Sequence, residues 1–183
     1  VEPECLTVSL DLDNPARTVV LSMIPHMTGL TGLDLERMTK YEEEAPKGLL
    51  EEFLGVFTAS QLEQLQYLSL DLSNCHVTTL DLAHWLKQMP HLQSFTLYEI
   101  DADWGDNIAQ IPPLAELRQL FIRTTLPTHQ LDVGVLPSLT RLSVRCGDSP
   151  NGPPWLPNLS QMTALESLVW NRLVQKDLVE IVG

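Results

Sequence analysis

The chain has 183 residues, of which 44% are hydrophobic and 19% charged, and this size suits one folded domain or one fragment of a repeat array. Its net charge of −13, from 24 acidic and 11 basic residues, disfavours general binding to the phosphate backbone of nucleic acids. No apolar run approaches the roughly 18 residues needed to cross a bilayer, and the N-terminal VEPEC is unlike a secretory signal. We therefore expect partners that are neither nucleic acid nor membrane.

The first third of the chain predicts two strands, a short helix and a long insertion. The strands are expected near residues 8–12 and 30–35, and the helix within 18–27, where Pro25 ends or kinks it. The charged stretch 41–48 predicts a loop because Pro and Gly punctuate it. An amphipathic helix is then expected, because four apolar residues fall on one helical face: Leu50, Phe53, Leu54 and Phe57.

The middle and the end of the chain predict a strand at 68–72 and then a clear helix. That helix has Thr79 as its N-cap and Pro90 after its end, and its apolar face holds Leu82, Trp85, Leu86 and Met89. Prolines at 111–113, 126–127 and 153–157 leave room only for single turns or 3₁₀ pieces. Residues 174–182 predict a last helix.

One apolar phrase recurs along the chain at nearly constant spacing. Its six full copies start at Met27, Leu62, Met89, Leu114, Leu136 and Met162, each with apolar residues three, six and eight positions later. A partial seventh copy is Cys5-x-x-Val8-x-Leu10. The middle apolar positions (8, 33, 68, 95, 120, 142 and 168) are 22 to 35 residues apart. All but one of these spacings fall within the roughly 20–29 residues typical of leucine-rich repeats.

The phrase itself predicts a strand that is buried on one face. Its last two apolar residues are spaced at period two, and one such strand cannot bury its face without stacked copies of itself. Two frames fit the central copy, one with Leu68 in the middle position and one with Leu70. In either frame Leu68, Leu70 and Leu72 point inward, while Tyr67, Ser69 and Asp71 point outward.

The LxxLxL phrase at this spacing resembles the leucine-rich repeat family over essentially the whole chain. The resemblance implies an α/β fold: a curved solenoid with a parallel concave sheet of about seven short strands and helices or helical turns behind it. Irregular repeats with helical backs and no cysteine caps look like those of cytosolic NLR (NACHT-type) innate-immune receptors. The ending, 162–168 followed by 177–181, is similar to that of the CARD-bearing group.

The same resemblance implies a single domain, 1–183, that is a fragment of a larger protein and carries neither catalytic residues nor a cofactor. Its partner would be another protein or the receptor's own nucleotide-binding module, for which no GxxxxGK[ST] loop occurs here. Cys5, Cys75 and Cys146 are odd in number and far apart, which indicates a reducing, cytoplasmic compartment. The alternatives are a substrate-adaptor repeat domain of an F-box ubiquitin ligase, and a hydrolase or metal enzyme with a deep pocket on another α/β fold.

The outward strand positions are the candidate binding surface. They are acidic in the early copies, aromatic in the middle and rich in arginine in the late ones. The residues expected to bind a partner are Tyr67, Asp71, Tyr98, Phe121, Arg123, Arg141 and Arg145. Exposed aromatics and arginines are the side chains most enriched at binding hot spots, so we expect a protein segment to dock here.

Two weaker patterns raise the question of a metal site. Residues 101–107, DADWGDN, have the acidic density of a calcium loop, but the glycine is misplaced and no closing acidic ligand follows. Cys75 and His76 with His84 or His91 have metal-ligand chemistry, but such a set is more often a corner cysteine with surface histidines. We therefore expect no metal.

Overall fold

The structure is a computed structural model that describes residues 5–9, 16–36, 53–71, 79–98, 109–127, 131–133, 136–147, 156–172 and 178–182. An eight-stranded sheet dominates it. Its strands are β1 (Cys5–Ser9), β2 (Gly32–Glu36), β3 (Tyr67–Asp71), β4 (Ser94–Tyr98), β6 (Gln119–Pro127), β8 (Arg141–Gly147), β9 (Ser167–Arg172) and β10 (Leu178–Val182). A second sheet has two strands, β5 (Ala109–Ile111) and β7 (Leu131–Val133).

The helices are short and lie between the strands along the chain. They are α1 (Ala16–Met23), α2 (Ala59–Gln64) and α3 (Thr79–Leu86), with 3₁₀ helices at Ile24–His26 and Leu156–Gln161. Among the helices of the described part of the chain, none is long and apolar enough to cross a bilayer.

The strands of the large sheet lie side by side in chain order. From β1 to β9 each strand runs parallel to its neighbour, so the connections between strands must cross over one face of the sheet. Only β10 runs antiparallel, against β9. This arrangement confirms an α/β fold with a parallel sheet.

The register aligns the recurring phrase from strand to strand. One row of directly paired residues runs Leu6, Leu33, Leu68, Phe95, Leu120, Leu142 and Leu168. The six full copies therefore align as predicted, with Leu68 in the middle position of the central copy. The first copy was predicted two residues too late, because Leu6 rather than Val8 pairs with Leu33. A shift of two residues keeps every side chain on its face, so alternation alone cannot distinguish the two registers.

Backbone hydrogen bonds repeat along the chain as well. The amides of Gln66 and Tyr67 both donate to the carbonyl of Thr31, at 2.8 and 3.1 Å. The carbonyls that accept two successive amides of the following strand start are those of Thr31, Gln66, Gln93, Arg118 and Thr140. Within the phrase, the Leu65 amide donates to the Leu62 carbonyl at 3.2 Å, and the same turn recurs in the four copies that follow. The five copies from Leu62 onward therefore share this turn in the backbone as well as the phrase in sequence.

The core lies on one face of the sheet, as the period-two pattern predicts. Leu68 and Leu70 are buried, as expected, while Leu72 lies outside the described residues. The same two positions are buried in the other strands of the large sheet from β2 to β8: Leu33, Leu35, Phe95, Leu97, Leu120, Ile122, Leu142 and Val144. In β9 the equivalent Leu168 and Trp170 are only half-buried, so the core thins toward that end.

The segments behind the sheet partly follow the predictions for the first half of the chain. Helix α3 is present, but Thr79 is itself a helical residue and is therefore not the cap of the helix. Residues 53–54 are helical, and the rings of Phe53 and Phe57 pack edge to face with centroids 5.5 Å apart, while Leu50 lies outside the described residues. The pattern did not predict α2, whose capping box pairs Thr58 with Gln61.

The second half differs more from the predictions. Ile111 lies in β5, which pairs in parallel with β7, so a small second sheet replaces the helical turn expected at 111–113. The turn expected at 126–127 is the end of strand β6. The 3₁₀ helix Leu156–Gln161 lies close to the predicted position. Residues 178–182 form strand β10 instead of the predicted helix, which agrees with their β-branched content and with the open edge of β9.

Candidate functional site

The face of the large sheet opposite the core, called here the outward face, carries three rows of side chains that cross the strands. The first row runs Tyr67, Ser94, Gln119, Arg141 and Ser167. The middle row runs Asp34, Ser69, Thr96, Phe121, Ser143 and Val169. The last row runs Asp71, Tyr98, Arg123 and Arg145. Because paired residues on neighbouring strands lie about 5 Å apart, each row is a line of adjacent side chains.

All seven residues selected from the sequence lie at outward positions, but only some lie together. Asp71, Tyr98, Arg123 and Arg145 are consecutive members of the last row, each paired with the next. Phe121 lies next to them, in the middle row on β6. Tyr67 and Arg141 share the first row but lie three strands apart, so they do not form one contact site.

Two aromatic rings and an arginine form a cluster, called here the aromatic–arginine cluster, of Tyr98, Phe121 and Arg145. The centroids of the Tyr98 and Phe121 rings are 5.4 Å apart, with their planes tilted by 52°. The guanidinium carbon of Arg145 lies 5.9 Å from the centroid of the Phe121 ring, within the range of a cation–π contact. Tyr98 is 37% exposed, one of three large apolar or aromatic side chains in the described residues that face solvent to this degree.

Arg145 is held in this cluster in a partly desolvated state. Its side chain is half-buried, and its Nε atom is buried without a hydrogen-bond partner in the structure. A buried N–H group without a partner costs roughly 1–3 kcal/mol, so packing on Phe121 must offset an unfavourable term. An arginine fixed in this way loses less conformational entropy when it binds a ligand.

Positive charge is concentrated on this part of an otherwise acidic protein. Seven Lys or Arg residues lie in the described part of the chain: Arg17, Lys87, Arg118, Arg123, Arg141, Arg145 and Arg172. Three of the seven, Arg123, Arg141 and Arg145, are on the outward face of β6 and β8, and Arg123 and Arg145 are directly paired across those strands. Since the whole chain carries a net charge of −13, this region is a local exception that attracts anionic groups.

The opposite end of the outward face has a different character. Asp34 on β2 is half-buried, its middle-row neighbour Ser69 is 4% exposed, and Gly32 is buried. Asp34 was not among the seven residues selected from the sequence. The sequence did place Asp34 on the outward face, since it lies between the two buried leucines of the second copy. No property of the residue alone distinguished it from the other outward residues.

The described residues contain no group of three or more His, Cys, Asp or Glu side chains that could hold a metal ion. The ring of His84 packs edge to face on Trp85, with centroids 5.9 Å apart, and Nδ1 of His91 lies 2.9 Å from Oε1 of Glu116. Both histidines therefore have protein contacts. Cys75, His76 and the stretch 101–107 lie outside the described residues.

Comparison with known proteins adds no family to this description. No protein-family model matches the chain, and neither a curated protein nor a solved structure matches it. The features that bear on function are therefore the repeated parallel strands and the outward face that they build.

Proposed function

We propose that the chain is a leucine-rich repeat solenoid that acts as a non-catalytic protein-recognition module. The solenoid is supported by the chain-order parallel strands, by the aligned row from Leu6 to Leu168, and by the repeated pair of amides on one carbonyl. Repeat solenoids present an extended surface rather than an enclosed pocket, and such a surface suits a protein partner.

The aromatic–arginine cluster is the observation that carries the proposal of binding. Aromatic and arginine side chains dominate hot spots because they bury a large area at low entropic cost and because arginine grips a carboxylate with two hydrogen bonds. In Tyr98, Phe121 and Arg145 the two kinds of side chain are already packed against each other on the outward face. The cluster thus offers an apolar surface next to a cation.

We place the module in the cytoplasm, as the ligand-sensing and autoinhibitory region of an innate-immune receptor of the NLR type. What supports this context is the resemblance of the phrase and of its irregular repeats to that family. In this role the outward face contacts the receptor's own nucleotide-binding module or a protein ligand. The mechanism is steric occlusion together with charge complementarity, and it requires no bond to be made or broken.

The test is a titration of the chain with the nucleotide-binding module of its full-length protein, measured by calorimetry. Replacing Arg123, Arg141 and Arg145 together with Glu should raise the Kd at least about ten-fold, because attractive contacts at the centre of the face become repulsive. Replacing Tyr98 with Ser should raise the Kd by a smaller factor, because an apolar contact is lost without a change of charge.

The matched control is Lys87→Glu, an exposed charge reversal in the turn after α3, which should leave the Kd unchanged. The circular dichroism spectrum and the unfolding midpoint of each variant establish that it folds. If the triple variant is folded and binds with the affinity of the wild type, the outward face of β6 and β8 is not the binding surface.

A further inference from the structure

Charge on the outward face is segregated along the sheet. The acidic side chains lie at one end, Asp34 on β2 and Asp71 on β3, and the basic side chains lie toward the other, Arg123 on β6 and Arg141 and Arg145 on β8. Between the two ends, the rings of Tyr98 on β4 and Phe121 on β6 pack together. In strand order the face therefore reads acidic, aromatic and basic.

Asp34 and the arginines of β8 are too far apart to neutralise each other. Four strand steps separate β2 from β8, and at about 4.8 Å each they amount to about 19 Å along the sheet. This exceeds the Debye length of about 8 Å at physiological ionic strength, so solvent screens Asp34 from Arg141 and Arg145. Asp34 and the arginines of β8 can therefore each attract a counter-charge from a partner.

A partner with a single sign of charge does not fit this face. A uniformly acidic segment would be attracted by Arg141 and Arg145 but repelled by Asp34, and the chain's net charge of −13 adds to that repulsion. A uniformly basic segment would be attracted by Asp34 but repelled by Arg141 and Arg145 on β8. Like charges placed against each other at an interface cost affinity and thereby select against wrong partners.

We infer that the segment recognised by the outward face is bipolar and crosses the strands in an extended conformation. Its cationic group lies over Asp34, an apolar side chain packs on the Tyr98–Phe121 pair, and its carboxylate reaches Arg141 or Arg145. At about 3.3 Å per residue, the distance of about 19 Å sets the two charged groups about six residues apart. This inference rests on the proposed function and adds the polarity and the spacing of the ligand.

Three synthetic peptides with blocked termini and a fluorescent label test the inference through their binding to the chain, measured by fluorescence polarisation. The bipolar peptide has a lysine pair and a glutamate pair about six residues apart with leucine midway, at the spacing that the sheet sets. The scrambled peptide has the same composition with the lysines next to the glutamates. The acidic peptide has glutamate in place of the lysines.

The bipolar peptide should bind at least about five-fold more tightly than either of the others, because only it satisfies both ends of the face. The Asp34→Lys variant should bind the acidic peptide more tightly than the bipolar one. In Asp34→Asn the ratio of the two Kd values should approach one. Glu63→Lys, an exposed reversal on α2, is the control and should keep the wild-type order.

The outcomes separate the inference from the proposed function. If the acidic peptide binds the wild-type chain as tightly as the bipolar one, the inference is wrong but the outward face remains a binding surface. If the bipolar and scrambled peptides bind equally, the inferred spacing of the two charged groups is wrong. If no peptide binds, the inference is overturned, and the titration with the nucleotide-binding module then decides whether the proposed function fails with it.

Discussion

Gln61 shows how a single polar side chain can join two successive repeats. It is 7% exposed, and its Nε2 donates to the carbonyls of Ile24 and Met27, at 2.8 and 3.1 Å. Its Oε1 accepts from the amide of Thr58 at 2.9 Å, and its own amide donates to the Thr58 hydroxyl at 3.2 Å. One residue thus caps α2 and satisfies two carbonyls of the preceding 3₁₀ turn.

Replacing Gln61 with Ala should lower the free energy of unfolding by about 2–3 kcal/mol, because it removes the side-chain hydrogen bonds to the carbonyls of Ile24 and Met27 and half of the capping box. The measurement is equilibrium unfolding in urea. Gln64→Ala in the same helix is the matched control, since Gln64 is exposed and its side chain bonds the Ser60 hydroxyl at the surface, and it should cost about 0.5 kcal/mol or less. Equal losses in the two variants would show that the Gln61 bonds contribute nothing special.

At this scale the sequence predicted which side chains face inward and outward but not which of them touch. The alternation fixed the faces of Leu68, Ser69 and Leu70, because period two is a property of any strand. The contact of Tyr98 with Phe121 depends on which strands are neighbours and on their register, neither of which is local information. The burial of Gln61 could not be predicted from the sequence, because a glutamine in an amphipathic helix is expected to face solvent.

At the scale of the element, burial within the row of paired middle residues predicts unequal sensitivity to the same mutation. Leu120 in β6 is 2% exposed, whereas its counterpart Leu168 in β9 is only half-buried. Leu120→Ala should cost about 3–5 kcal/mol, and Leu168→Ala about 1–2 kcal/mol, because less packing is lost where the core is thin. Urea unfolding of both variants measures the difference, and a larger loss at Leu168 would contradict the observed burial.

Elements were predictable where the phrase is complete and unpredictable between copies. Each full copy of the phrase correctly predicted a strand, because its three to four apolar residues are compatible with only one register. The backs of the later copies were harder, since prolines exclude a long helix without specifying what replaces it, and β5 and β7 pair only with each other. Strand β10 was missed because a five-residue stretch with four apolar residues takes its structure from the edge it meets, here that of β9.

On the scale of the whole molecule, a stack of strands in chain order has contacts only between neighbours. Stability in such an array should fall toward the ends, because a terminal strand has a neighbour on one side only. Amide hydrogen exchange under native conditions should therefore be slowest in β3, β4, β6 and β8 and at least about ten-fold faster in β1 and β10. Uniform protection across all eight strands would instead indicate a single cooperative unit.

The outward face is also a property of the whole molecule, since no single copy contains it. Asp34, Tyr98, Phe121 and Arg145 come from four different strands, and only their order in the sheet turns them into an acidic, an aromatic and a basic region. The change from acidic to aromatic to basic residues could be predicted from the sequence, because the recurring phrase identifies which residues of each strand face outward. The packing of the cluster could not, because it depends on side-chain conformations.

The carbonyl that receives two amides at each strand start has one more consequence. Gln66, Gln93, Arg118 and Thr140 all occupy this position. A segment that starts at one of these residues and ends just before the next therefore has the same backbone geometry at both of its ends. Deleting or doubling such a segment, for example residues 93–117, would restore the same hydrogen bonds at the junction. The width of the outward face can thus change in whole steps without redesign of the rest, and under the proposed function the length of the bound segment would change with it.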